Sequence, residues 1–169
     1  MWRLWACFIL SVWIAGTGTA ASADSAYTSL KSAECRTVGQ TGEDNGTGAI
    51  QECPGRDGFR VQVVGDDARS WLRIQPPRSA AVDFREETAA QAPGQFPNVA
   101  ETALEWRYAN RRDRPAAFIH RIAATVGDSD RSVSVLLVIR VTEDRLCVIG
   151  RATGNVEARV LADSPRTCR

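Results

Sequence analysis

The stretch VSVLLVIRV-TEDR-LCVIGRA, residues 133–152, decides the fold. Val133, Val135, Leu137, Ile139 and Val141 recur at a period of two, the side-chain period of a β-strand. Thr142 to Arg145 supplies a polar turn, and Leu146 to Ala152 returns. With Val141 opposite Leu146, Ile139 meets Val148 and Leu137 meets Gly150, so one apolar face runs across both strands and specifies their register. Leu136, Val138 and Ile149 add apolar groups to the opposite face. This hairpin is therefore expected to be central and covered on both sides.

The same period recurs on its N-terminal side. Leu104, Trp106 and Tyr108 alternate with Glu105 and Arg107, Asn110 to Pro115 makes a charged turn, and Ala116 to Val126 comes back as a longer strand. Phe59, Val61 and Val63 face away from Arg60 and Gln62; Gly65-Asp66-Asp67 turns the chain, and Trp71 to Gln75 returns. Meandering hairpins of this kind predict one mainly β domain of about six to eight antiparallel strands, in a barrel or sandwich. A short C-terminal helix closes it, with Asn155 as N-cap, Val156, Val160 and Leu161 on one face, and Pro165 as the stop. The alternative is an α+β fold with a second helix near residues 80–90, where Ala, Glu and Arg favour one. Residues 37–48, rich in Gly and acidic types, and residues 76–100, with four prolines, read as irregular.

Of the 169 residues, the first 23 read as a cleaved signal peptide. Met1-Trp2-Arg3 gives a short positive start, Leu4 to Ala15 is uncharged and apolar, and Ala21-Ser22-Ala23 suits signal peptidase, with cleavage after Ala23. The apolar run is short of the roughly 20 residues that span a bilayer, and no later stretch reaches that length. The mature chain, 24–169, is thus expected to be a single soluble domain without a transmembrane segment. The 21 basic and 20 acidic residues come into balance once Arg3 leaves, which argues against a nucleic-acid partner. Cys7 leaves as well, and four cysteines remain. Cys35–Cys53 and Cys147–Cys168 each close a short local loop, and each bond should stabilise the fold by about 3 kcal/mol on the loop-entropy model. With no C-x-x-C, these cysteines read as staples in an oxidising compartment.

Chemistry is sparse. His120 is the single histidine, which excludes a two-histidine zinc motif. It stands in a strand without a nucleophile elbow and reads as a half-buried or exposed strand residue. Carboxylates cluster at Asp66-Asp67, at Asp83 with Glu86-Glu87, and at Asp128 with Asp130, and these read as solvated turns. No phosphate-cradling loop, dinucleotide fingerprint or calcium loop is present, so neither cofactor nor metal is expected. The densest charge is Arg107, Arg111, Arg112, Arg114 and Arg121 around one hairpin. Arginine forks suit carboxylate and phosphate partners, which makes Arg111, Arg112 and Arg114 the candidate partner-binding residues.

Several short motifs together resemble small exported proteobacterial proteins of unknown function with four cysteines. They are Tyr27-Thr28-Ser29-Leu30 before Cys35, Cys53-Pro54-Gly55 with Gly58 and Val61, and Gly65-Asp66 with Arg69. Leu104-Glu105-Trp106-Arg107 follows, and then Cys147 with Ala158-Arg159, Ala162-Asp163 and Cys168. The resemblance implies a Gram-negative periplasm and carries no activity or catalytic residues. Periplasmic lysozyme inhibitors are likewise small disulfide-bearing β-proteins, but their Ser-Gly-x-x-Tyr type loop is missing from this chain. The expectation is a periplasmic binding, inhibitor or envelope-associated module without catalysis, its partner an unidentified protein or envelope component. The different-class alternative is a carboxylate-dependent hydrolase of a small envelope substrate, using Asp66, Asp67 or Glu105.

Overall fold

The alternation of residues 133–152 becomes a hairpin in the computed structural model, which describes residues 23–41, 48–109, 114–127 and 131–168. In chain order the strands and helices are β1 (Asp24–Ser29), β2 (Arg36–Thr41), β3 (Gly48–Cys53), β4 (Arg60–Asp66), β5 (Arg69–Gln75), β6 (Val82–Asp83), α1 (Arg85–Gln91), β7 (Gln95–Val99), β8 (Ala103–Tyr108), β9 (Ala117–Thr125), β10 (Ser132–Val141), β11 (Leu146–Ala152) and α2 (Asn155–Asp163). All pairings are antiparallel. They make a first sheet, β1-β8-β9-β10-β11 with β7 also against β9, and a second, β2-β3-β4-β5-β6.

The two sheets pack as a sandwich. Val61, Leu72 and Ile74 of the second face Leu104, Trp106, Phe118 and Ile139 of the first, and Phe59 joins them. Phe59, Trp106 and Phe118 meet edge to face, with centroids 4.8 to 6.0 Å apart, the geometry their ring quadrupoles favour. The outer face of the first sheet buries Ala117, Ile119, Leu136 and Val138 under Ala158 and Ala162 of α2. On one flank α1 bridges the sheets: it packs on β5 and reaches β11, where Arg151 donates to the Gln91 carbonyl at 2.9 Å. The disulfides are Cys35–Cys53 and Cys147–Cys168, the two local pairings, and they fit an oxidising environment.

Several expectations are corrected. The hairpin is covered on both faces, yet it is not central: β11 is an edge strand. Val141–Leu146 and Ile139–Val148 pair as expected, but Val138 then meets Gly150 and Leu137 meets Arg151. Ile149 is the extra residue of a bulge, and it packs with the cluster beneath α2. Gly150, at φ 153°, takes a conformation that favours glycine.

Within the expected loop at 37–48, residues 37–41 and Gly48 are strand, in β2 and β3, and residues 42–47 lie outside the described residues. A Cβ at Gly48 would stand 2.0 Å from the Gly65 carbonyl oxygen, so this glycine marks close strand packing rather than a turn. Strands β1 and β7 also lie outside the expected set. A second helix does form, at Arg85–Gln91 rather than across 80–90, because Val82–Asp83 first pairs with β5. In α2 the N-cap is Gly154, not Asn155, and Glu157 accepts from the Thr153 amide at 2.9 Å. Val156 and Val160 are exposed, and the buried face is Ala158 and Ala162.

Candidate functional site

At one end of the sandwich the connections of the two sheets leave a cleft of about 540 Å³. The second sheet contributes Asp57, Phe59 and the segment from Pro76 to Val82; the first contributes Arg114 and the β10–β11 turn from Val141 to Leu146. Its floor is apolar because Phe59, Val141 and Leu146 end the core there. Its rim carries Arg78, Arg114 and Arg145 beside Asp57, Glu143 and Asp144.

Local chemistry holds each arginine differently. Arg114 donates to the Thr142 carbonyl and so ties the β8–β9 connection to the β10–β11 turn. Arg145 donates to the Cys168 carbonyl at 3.0 Å. Arg78 makes no hydrogen bond or ion pair with the described residues and sits at φ 63°, a strained backbone position at the cleft edge. Asp57, also left-handed at φ 52°, accepts from the Tyr108 hydroxyl. Burial and the Asp57 carboxylate raise that hydroxyl above its ordinary pKa, which keeps it a donor. The result is a concave apolar surface whose rim carries three guanidinium groups, two of them bonded to carbonyls that leave their charge intact, and an equal number of carboxylates.

Of the arginines singled out in the sequence, Arg114 lines this cleft, while Arg111 and Arg112 lie outside the described residues. The five do not form one lip. Arg107 is buried beneath α2, and Arg121 donates to Ser134 at 2.9 Å. Sequence reading missed Arg78 and Arg145, which reach the cleft from turns far apart in the chain and carry no local motif.

The candidate carboxylates are split between the sheets. Glu105 is buried under α2, where it accepts from Ser25 at 2.6 Å and from Arg159 at 2.8 Å, with Arg107 at 3.6 Å. Burial pushes this carboxyl up, but the bonds from Arg159 and Ser25 and the charges of Arg159 and Arg107 outweigh it and hold its pKa below the ordinary value. A carboxylate so held is a poor proton donor. Asp66 ends β4 in the other sheet and pairs with Arg85 at 3.1 Å; Asp67 follows in the turn at φ 55°.

Asp66 does meet the second acidic cluster. With Asp83, Glu86 and Glu87 it lines a groove of about 560 Å³ over Trp71, on the outer face of the second sheet. The Asp128–Asp130 cluster lies outside the described residues. His120 is fully buried rather than half-exposed, and both ring nitrogens lack a hydrogen-bond partner among the described residues. Burial lowers its pKa to about 4, so it is neutral and sealed from any substrate. No family model, curated protein or solved structure matches the chain.

Proposed function

We propose that this chain is an exported periplasmic binding module that acts without catalysis and holds an anionic partner, a protein or an envelope component, at the end cleft. The supporting observation is the cleft itself: an apolar floor of Phe59, Val141 and Leu146 whose rim carries Arg78, Arg114 and Arg145 beside Asp57, Glu143 and Asp144. Arginine forks at the edge of an apolar surface suit carboxylate or phosphate groups attached to an apolar body. Arg111 and Arg112 adjoin Arg114 in sequence. The hydrolase alternative draws little from the geometry, since Glu105 is clamped by two arginines and Asp66 belongs to the other sheet.

The test is affinity capture from periplasmic extract at low ionic strength. Arg78→Ser, and separately Arg111→Ser with Arg112→Ser, should weaken a captured partner while thermal unfolding stays unchanged. Arg145→Ser should weaken it as well, but it removes the bond to the Cys168 carbonyl and is compared only where it is folded. Arg114→Ser also removes the tie to Thr142, so its capture is compared only at temperatures where it is folded. Capture indifferent to all these changes removes the cleft as the site. A hydrolytic activity lost on Asp66→Asn or Glu105→Gln, with folding intact, defeats the non-catalytic reading.

A further inference from the structure

The Trp71 groove carries an excess of acid, four carboxylates to two arginines where the cleft has three of each, and lies toward the other end of β5. Two of its four carboxylates are matched. Arg73 reaches Asp83 through two nitrogens at 3.0 and 2.8 Å, and Arg85 reaches Asp66 at 3.1 Å. Glu86 and Glu87 have no ion pair among the described residues, so the groove keeps two unmatched negative charges. Among the described residues no three carboxylate, imidazole or thiol groups converge to hold a metal ion. The acids line a surface rather than surround a point.

Beneath them lies Trp71, cross-strand from Val64 and only 5% exposed. Its indole N–H has no hydrogen-bond partner among the described residues, although a buried indole usually finds one. The Arg85 guanidinium covers the ring, its carbon 4.8 Å from the centroid. Arg85 therefore displays the chemistry that the groove accepts: a planar cation stacked on indole, with one N–H on a neighbouring carboxylate. Its side chain is more than half exposed, so it is a displaceable cover rather than part of the core.

We propose that this groove binds a cationic side chain of a basic peptide segment, with an incoming guanidinium taking the place of Arg85 on Trp71 and Glu86 and Glu87 holding the adjoining positive charge. Charge complementarity selects the partner: two unmatched carboxylates beside an aromatic face favour arginine over an anionic or neutral group. This site is independent of the end cleft, and either can fail without the other.

The experiment is calorimetric titration of the protein with a blocked tetra-arginine peptide, with a tetra-glutamate peptide as the opposite probe. Saturable tetra-arginine binding is expected, weakening as salt rises. The double change Glu86→Gln, Glu87→Gln should weaken it roughly tenfold, by removing the two unmatched charges. Arg85→Ala should tighten it several-fold, because the internal competitor is gone; a groove with a merely structural role gives no such gain. Unfolding midpoints of both variants are measured to confirm that they are folded. No saturable binding, equal binding by the glutamine variant, or weaker binding by folded Arg85→Ala would overturn the proposal, as would a preference for tetra-glutamate.

Discussion

On the inner face of the first sheet Trp106 and Phe118 meet edge to face at 4.8 Å; one residue along the same strand, on the outer face, Glu105 and Arg107 meet Arg159 and Asp163 of α2. The inner contact rests on apolar burial, which is non-directional and grows with area. The outer contact has little apolar area to draw on, since α2 buries only Ala158 and Ala162. There the ion pairs set which way the helix lies. Desolvating such charges costs much of what their attraction returns, so the outer network contributes orientation more than net stability. Removing one partner is a different matter, because it strands the other.

The largest expected effect is therefore on the inner face. Phe118→Ala should lower unfolding stability by about 4 kcal/mol, from lost burial and the cavity left between two other rings, as measured by urea denaturation. A loss below about 1 kcal/mol would mean that the ring trio is not the centre of the core. On the outer face, Arg107→Ala should cost about 3 kcal/mol, because Glu105 stays buried with one cation fewer and Asp163 loses its partner. Asp163→Ala should cost less, since that side chain is 40% exposed. Equal losses at both positions would break the picture of a network centred on the buried strand rather than on the helix.

Acid separates the faces further. His120 lies in the interior on β9, and burial lowers its pKa from 6.5 to about 4. Between these values the unfolded chain binds more protons than the folded one. Stability is thus fully present above about pH 6.5 and falls as pH drops toward 4, by about 3 kcal/mol in all. Glu105 also has a lowered pKa, so its contribution is lost only as pH falls below the ordinary carboxylate range. His120→Leu should flatten the decline between pH 6.5 and 4 and leave the acid limb below it. An unchanged profile in that variant would show that the imidazole is not buried neutral.

These contrasts also explain what could be read from the residues. Strands β8 to β11 were legible because one or both faces bury large apolar groups, which imposes a period of two. Strands β1 and β2 are half-exposed and polar, DSAYTS and RTVGQT; backbone pairing holds them, and pairing leaves no mark in hydrophobicity. The bulge at Ile149 was hidden because a strict period of two has no place for an extra residue, although Gly150 marks the position. Among candidate sites, Arg114 was visible as part of a charge cluster. Arg78, Arg145 and the Trp71 groove were not, since each depends on bringing together turns that are distant in sequence. The carboxylates of Asp66 and of Asp83–Glu87 are each plain in the sequence, but nothing local says that β5 and α1 place them over one indole.

The smallest expected effect tests the reading of α2 itself. Val156 and Val160 stand four residues apart, as do Ala158 and Ala162, and the two pairs lie on nearly opposite faces of one helix. Hydrophobicity alone would bury the valines. The structure leaves them 78% and 68% exposed and seats the alanines instead, because only that rotation carries Arg159 to Glu105 at 2.8 Å and Asp163 to Arg107. Small alanines then let the helix approach the sheet closely enough for those bonds to form. Replacing both valines by serine should change stability by less than about 0.5 kcal/mol, the usual range for surface positions. Ala158→Leu should cost about 1–3 kcal/mol, since the added side chain must be forced against Leu136 and Val138 or lift the helix off its ion pairs. If the valine changes prove costly and Ala158→Leu is tolerated, α2 is rotated to the face its hydrophobic pattern favours, and the outer face of the sheet is held by burial like the inner one.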